Sequence, residues 1–264
     1  MIKGQEKICS FIDSCNLDEF PRSLMLIGEK GAGKHLITSY IANRYNLQTL
    51  DITDNICLEI IDQINERVSP YLYIIRINSL SIKEENTILK LLEEPLKNAY
   101  LILLTETDNG ILPTILNRCQ CWRLQNYTKD FLREFLNEDN NELLSIATTP
   151  GQIIELQGSN FKEMHLLCNK IITKITEASL PNILTINNKI AYKDEKDKFD
   201  YKLIFLLLKE LLCTYYKTYH DIKYLKGYLS LNELIKSTKN ITIDPKNLFD
   251  KWLLEYREIS KELI

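Results

Sequence analysis

The hydrophobic positions divide the chain into two halves with different periods. Residues 23–28 (Ser-Leu-Met-Leu-Ile-Gly) form a short apolar run after Pro21, and similar runs return at Tyr71–Ile77 and Ala99–Thr105. Runs of this length without polar alternation predict strands of a parallel sheet buried on both faces. Between the runs the spacing becomes helical. Leu36, Ile37, Tyr40, Ile41 and Tyr45 recur at helical spacing, and helix-like segments at Ile56–Val68 and Glu84–Glu94 precede the second and third runs, with Pro95 closing the latter. Strands alternating with helices predict βαβ units reaching to about Leu124.

From Tyr127 onward the strand signal nearly vanishes. Helical periodicity appears at Phe131, Leu132, Phe135 and Leu136, then at Leu143, Leu144 and Ile146, then at Ile153, Ile154 and Leu156, with Pro150-Gly151 as punctuation between the last two. Longer helical segments at Phe161–Ala178 and Tyr201–Tyr219 flank a polar stretch near Asn182–Lys198. Its mixed-sign run Lys193–Lys198 reads as a solvated loop or helix start. The layout is an α/β domain over residues 1–126 with a mostly parallel sheet and flanking helices, a small helical packet over 127–160, and an all-α domain over 161–264.

Composition narrows the class. The 264 residues are 45% hydrophobic, enough to bury the cores of about two domains. No apolar stretch of about 18 residues lacks charge, and Lys3, Glu6 and Lys7 stand where an uncharged leader would begin, so the chain reads as soluble and cytoplasmic, with no membrane partner. The seven cysteines are scattered, odd in number and without a CxxC pair, which reads as reduced thiols, most of them in the core. Cys119-x-Cys121 reads as part of a buried strand. The three histidines, His35, His165 and His220, are far apart in sequence, and no metal site is expected. A net charge of −3 argues against strong autonomous DNA binding, which is driven by phosphate neutralisation. Tyr215, Tyr216, Lys217 and Tyr219 read as core and helix-interface residues of an apolar helix.

Only eight glycines are present, and Gly28, Gly31 and Gly33 fall within six residues. Gly28-Glu29-Lys30-Gly31-Ala32-Gly33-Lys34 satisfies G-x-x-x-x-G-K between a predicted strand and a predicted helix, the context of a phosphate loop. There the glycines let successive N–H groups face an anion, and the lysine neutralises terminal phosphates. Magnesium-dependent hydrolysis needs more. The residue after the lysine should carry a hydroxyl, and here it is His35, a poor ligand for a hard cation. An acidic residue is needed at the tip of a neighbouring strand, and Tyr73-Ile74-Ile75-Arg76-Ile77-Asn78 supplies none. Arg76 reads as a solvent-facing strand end, with a substitute cation beside the phosphates as the other option.

Three further strings resemble the clamp-loader branch of the AAA+ proteins: Gly4-Gln5 near the start, Asn86-Thr87-Ile88-Leu89-Lys90-Leu91-Leu92-Glu93-Glu94-Pro95, and Ile111-Leu112-Pro113-Thr114-Ile115-Leu116-Asn117-Arg118-Cys119-Gln120. The last departs from the family pattern by Asn117 in place of serine. The resemblance covers residues 1 to about 158 and is closest to the non-hydrolysing subunit of bacterial DNA polymerase III clamp loaders. It implies an AAA+ P-loop domain, a lid over 127–160 and a collar over 161–264. It implies a scaffolding role in a hetero-oligomeric ring, with Arg118 as an arginine finger acting in trans on a neighbour's ATP site. Thr105 falls near the family's polar sensor residue, and Pro150-Gly151-Gln152 stands where hydrolysing relatives carry a sensor arginine. The implied partners are a gamma/tau-like ATPase, a delta-like subunit and, through the assembly, the sliding clamp and primed DNA. Gly28, Gly31, Gly33, Lys34 and His35 form a degenerate cofactor loop, which leaves open ATP or ADP held without hydrolysis. The interval from Lys34 to Tyr71 contains only Cys57, so the four-cysteine zinc module of many relatives is not expected. The alternatives are an active AAA+ ATPase, such as a gamma-like motor subunit or helicase-loader relative, and an isolated nucleotide-binding module.

Overall fold

A computed structural model describes residues 2–52, 69–77, 80–94, 98–138, 140–158, 160–175, 201–237 and 244–262, with isolated positions between 177 and 185. The expected helix at Ile56–Val68, Cys57, Asn78, Pro95 and the charged run Lys193–Lys198 lie outside the described residues. The described chain groups into two compact units, one of residues 1–136 with 147–154, the other of 137–146 with 155–264. The segment 127–160 is thus divided between them.

The first unit is built on five parallel strands, β1 (Ser23–Ile27), β2 (Gln48–Ile52), β3 (Tyr71–Arg76), β4 (Ala99–Thr105) and β5 (Gln120–Arg123), in the order β2-β3-β4-β1-β5. The apolar runs alternate faces at each residue and so fill two cores. Leu24, Leu26, Leu72, Ile74, Ile102 and Leu104 pack with α1 (Glu6–Ser14) and α2 (Lys34–Tyr45) through Ile12, Ile37 and Ile41. Met25, Ile27, Tyr73, Ile75, Leu101 and Leu103 pack with α3 (Ile82–Glu93) through Ile88, Leu91 and Leu92, and with Ile115 of the short α4 (Pro113–Leu116). Both faces of β1, β3 and β4 are therefore dry, which is why each reads as an unbroken apolar run.

The strands missing from the apolar pattern are the two edges. All but the last residue of β2 are exposed, and among the described residues β5 pairs only with β1. The expectation of a buried strand at Cys119-x-Cys121 is corrected accordingly: Cys121 is exposed on edge strand β5 and Cys119, half-buried, precedes it. Of the six described cysteines only Cys9 and Cys168 are buried, so most are not core residues.

Helix α3 starts at a complete capping box. The Ser81 hydroxyl accepts from the Glu84 N–H, and the Glu84 carboxylate accepts from the Ser81 N–H at 2.8 Å. Two short helices follow β5 and its loop, α5 (Lys129–Arg133) and, in the second unit, α6 (Asn141–Ile146). Pro150-Gly151 opens α7 (Pro150–Gln157), with proline in its first turn, where a missing N–H costs nothing.

The second unit is helical in its described residues, with α8 (Phe161–Lys174), α9 (Tyr201–Tyr219), α10 (Ile222–Ser237) and α11 (Pro245–Glu262). Cys168, Ile204, Leu208, Leu212, Phe249, Trp252 and Tyr256 are fully buried. The Trp252 and Tyr256 rings stack at 5.1 Å, and Trp252 Nε1 donates to Gly227 O at 3.2 Å. A Cβ on Gly227 would lie 2.5 Å from the Tyr256 ring, so α10 passes this aromatic pair only as glycine.

Two substitutions test these placements by chemical denaturation. Ser81→Ala should lower stability by about 1 kcal/mol through loss of the cap. Gly227→Ala gains up to about 1 kcal/mol of helix propensity, yet overpacking against a buried ring costs about 1–3 kcal/mol, so net destabilisation is expected.

Candidate functional site

The glycine loop leaves the C-terminal end of β1 and ends where α2 begins. Its start is fixed by the Gly28 N–H, which donates to Thr105 O at the end of β4 at 3.1 Å. Gly31 and Gly33 have φ of +82° and +93°, the left-handed region that favours glycine. Gly33 caps α2, whose first N–H groups have no partner within the helix and give that end partial positive charge. The sequence-predicted residues Gly28, Gly31, Gly33, Lys34 and His35 therefore lie on one continuous turn.

Five consecutive carbonyl oxygens of this loop are bonded within the first unit. The Lys34 ammonium turns back to Gly28 O and to Glu29 O, the latter at 2.9 Å. Lys30 O accepts from Thr149 Oγ1 at 2.8 Å, Gly31 O from the Gly151 N–H at 3.1 Å, and Ala32 O from the Tyr127 hydroxyl at 2.8 Å. Tyr127 is in turn held by Gln5, whose buried amide donates to Tyr127 Oη and to Gln125 O at 3.1 Å and accepts from the Gln125 N–H at 3.0 Å. This gives Gly4-Gln5 a physical role: Gln5 braces the residue that braces the loop. A Cβ on Gly151 would lie 2.5 Å from Gly31 Cα, so the start of α7 meets the loop backbone to backbone. Tyr127, Thr149 and Gly151 were not singled out in sequence as loop contacts, and no local signal marks them as such.

A cavity of about 610 Å³ opens beside the loop, lined by Lys34, His35, Arg76 and Glu106 and by apolar Leu36 and Ile154. Burial holds the Lys34 ammonium below the ordinary lysine value, and the carboxylates of Glu106 and Glu29 act in the opposite sense. Arg76 Nη2 lies 3.2 Å from His35 Nε2. A guanidinium only donates, so in this contact the imidazole nitrogen is the acceptor. Arg76 is exposed, as a strand end should be, and it also faces the phosphate loop.

Magnesium requires oxygen ligands in octahedral array. The two positions that would supply them are an imidazole and a guanidinium in contact with each other, so these residues do not fit the ion. Thr105 is buried at the end of β4, with its hydroxyl donated to Thr107 O. Among the described residues no group of three or more His, Cys, Asp or Glu side chains could hold a metal, and no helix is long and apolar enough to cross a membrane.

Arg118 lies elsewhere, outside the lining of the loop cavity. It follows α4, whose Ile115 is fully buried, and its own N–H donates to Ile115 O at 3.0 Å. Its Nη1 donates to Thr114 O at 2.8 Å and its Nη2 meets the Glu93 carboxylate at 2.8 Å, with 36% of the side chain exposed.

Residues 71–128, which contain Glu93 and Arg118, match the family described as DNA polymerase III, delta subunit. The chain is 27% identical over 134 residues to DNA polymerase III subunit delta' of Haemophilus influenzae, covering 45% of this chain and 41% of that protein. It is 28% identical over 122 residues to an uncharacterized MG007 homolog of Mycoplasma pneumoniae, covering 46% and 48%. The matched region spans less than half the length of either curated relative. In fold it is similar to a DNA polymerase III gamma subunit-related protein of Thermotoga maritima, with a TM-score of 0.58 at 15% identity over 97% of this chain and 99% of that one. The Holliday junction branch migration motor RuvB of the same organism gives 0.51 at 14% identity over 96% and 87%. The family match covers two of the three further strings that carry the resemblance, and with the delta' identity and the fold it shows the similarity of this chain to clamp-loader subunits.

Proposed function

We propose that this chain is a non-hydrolysing, delta'-like subunit of a cytoplasmic clamp loader in DNA replication. It would scaffold a hetero-oligomeric ring and donate Arg118 to the ATP site of a neighbouring gamma/tau-like subunit. The partners in this reading are that ATPase, a delta-like subunit and, through the assembly, a sliding clamp and primed DNA. The observation that carries it is the His35–Arg76 contact at 3.2 Å in place of two oxygen ligands for magnesium. Any ATP or ADP held by Gly28, Gly31, Gly33, Lys34 and His35 would be held without hydrolysis.

Arg118 suits the role by its donor count. A guanidinium has five N–H donors; one bonds to Thr114 O, and the Glu93 carboxylate is an ion-pair partner at 2.8 Å from Nη2. The others suit the developing charge on a phosphoryl group presented by another subunit, where such an arginine is worth on the order of 10³–10⁵ in rate. The residues 127–160 and 161–264 act in this reading as lid and collar.

Two measurements test it. The purified chain with ATP and magnesium should show no turnover above that of Lys34→Ala; turnover abolished by that substitution would establish the active-ATPase alternative instead. In a ring reconstituted with the ATPase subunit of the same source, Arg118→Ala should leave assembly by size-exclusion chromatography intact. It should slow single-turnover hydrolysis at the completed site on the order of 10³-fold, and unchanged hydrolysis would remove the finger assignment.

A further inference from the structure

The Arg118–Glu93 ion pair joins two strings that the sequence presents separately, the end of α3 and the segment after α4. Glu93 is the last residue of α3, where the helix dipole disfavours a carboxylate. Helix stability therefore does not account for it. Neither does fold stability in general, because both side chains are substantially exposed, 52% for Glu93 and 36% for Arg118, and exposed pairs contribute little. What the pair does is geometric. An arginine side chain has many rotamers of similar energy, and a planar fork held at both terminal nitrogens has lost most of them. Here one terminal nitrogen is fixed to Thr114 O and the other to Glu93, each at 2.8 Å.

Both anchors stand on one core. Ile88, Leu91 and Leu92 of α3 and Ile115 of α4 are buried in the same core, so the carboxylate and the backbone that carry Arg118 share one support. We infer that Glu93 is a positioning residue, holding the Arg118 guanidinium in the orientation it presents to an anionic phosphoryl group of a neighbouring subunit. The inference rests on the finger reading of Arg118. Pre-setting the fork lowers the entropic cost of engaging charge that develops only in the transition state, so its loss should appear in kcat and leave KM for ATP unchanged.

The test uses Glu93→Ala, Glu93→Gln, Arg118→Ala and the double variant Glu93→Ala/Arg118→Ala. In the isolated chain, nitrogen relaxation of the Arg118 Nε–H should show a lower order parameter in Glu93→Ala, with the unfolding midpoint unchanged. In the reconstituted ring, Glu93→Ala should lower kcat about three- to tenfold at constant KM, Glu93→Gln should fall between it and the native chain, and the double variant should be no slower than Arg118→Ala. If Arg118→Ala is slow while Glu93→Ala matches or exceeds the native rate, or if the Glu93→Ala loss adds fully to that of Arg118→Ala, the positioning role is overturned. If Arg118→Ala itself is unimpaired, the finger reading fails and the inference falls with it.

Discussion

Strand β1 is paired along both edges, with β4 and β5, and buried on both faces, and the glycine loop is where the chain must leave it. Backbone polar groups in such a position have to be satisfied. Five successive carbonyls, from Gly28 to Ala32, are bonded by Lys34, Thr149, Gly151 and Tyr127. The N-terminal segment enters through Gln5 and Tyr127, and the residues that open α7 enter through Thr149 and Gly151. The loop is the point at which these segments meet the end of β1.

The electrostatics follow the same division. Around the loop, cationic Lys34 and Arg76 share the cavity with Glu106 and His35, and Arg76 contacts His35. At the surface beyond α4, Arg118 is held by one carboxylate and one carbonyl with donors to spare. In the proposed reading the first arrangement opposes metal-assisted chemistry in this chain, and the second is suited to completing such chemistry elsewhere. Each makes the other intelligible in the proposed reading.

The sheet was legible where burial is symmetric. β1, β3 and β4 are covered on both faces and appear as apolar runs at 23–28, 71–77 and 99–105. β2 and β5 are edges, with Leu50 and Cys121 exposed, and their sequences carry no such run. The same reason misplaced Cys119 and Cys121, since a thiol at an edge has the sequence context of a core strand without its burial. Pro150-Gly151 was legible as punctuation because proline and glycine disturb backbone locally. That it begins a helix pressed against Gly31 depends on a partner far away in the chain.

The sequence by itself determined the α/β-then-helical layout, the phosphate-loop motif and the histidine that follows its lysine, because each is written in adjacent or periodically spaced residues. Only the tertiary structure decided that Arg76 reaches His35 across 41 positions, that Gly151 seals against Gly31 and that Glu93 holds Arg118. Those contacts join side chains and backbone brought together by the stacking of a parallel sheet and its flanking helices. Their partners are set by strand order and helix packing, and a linear pattern of polar and apolar residues carries no record of which loop ends will meet.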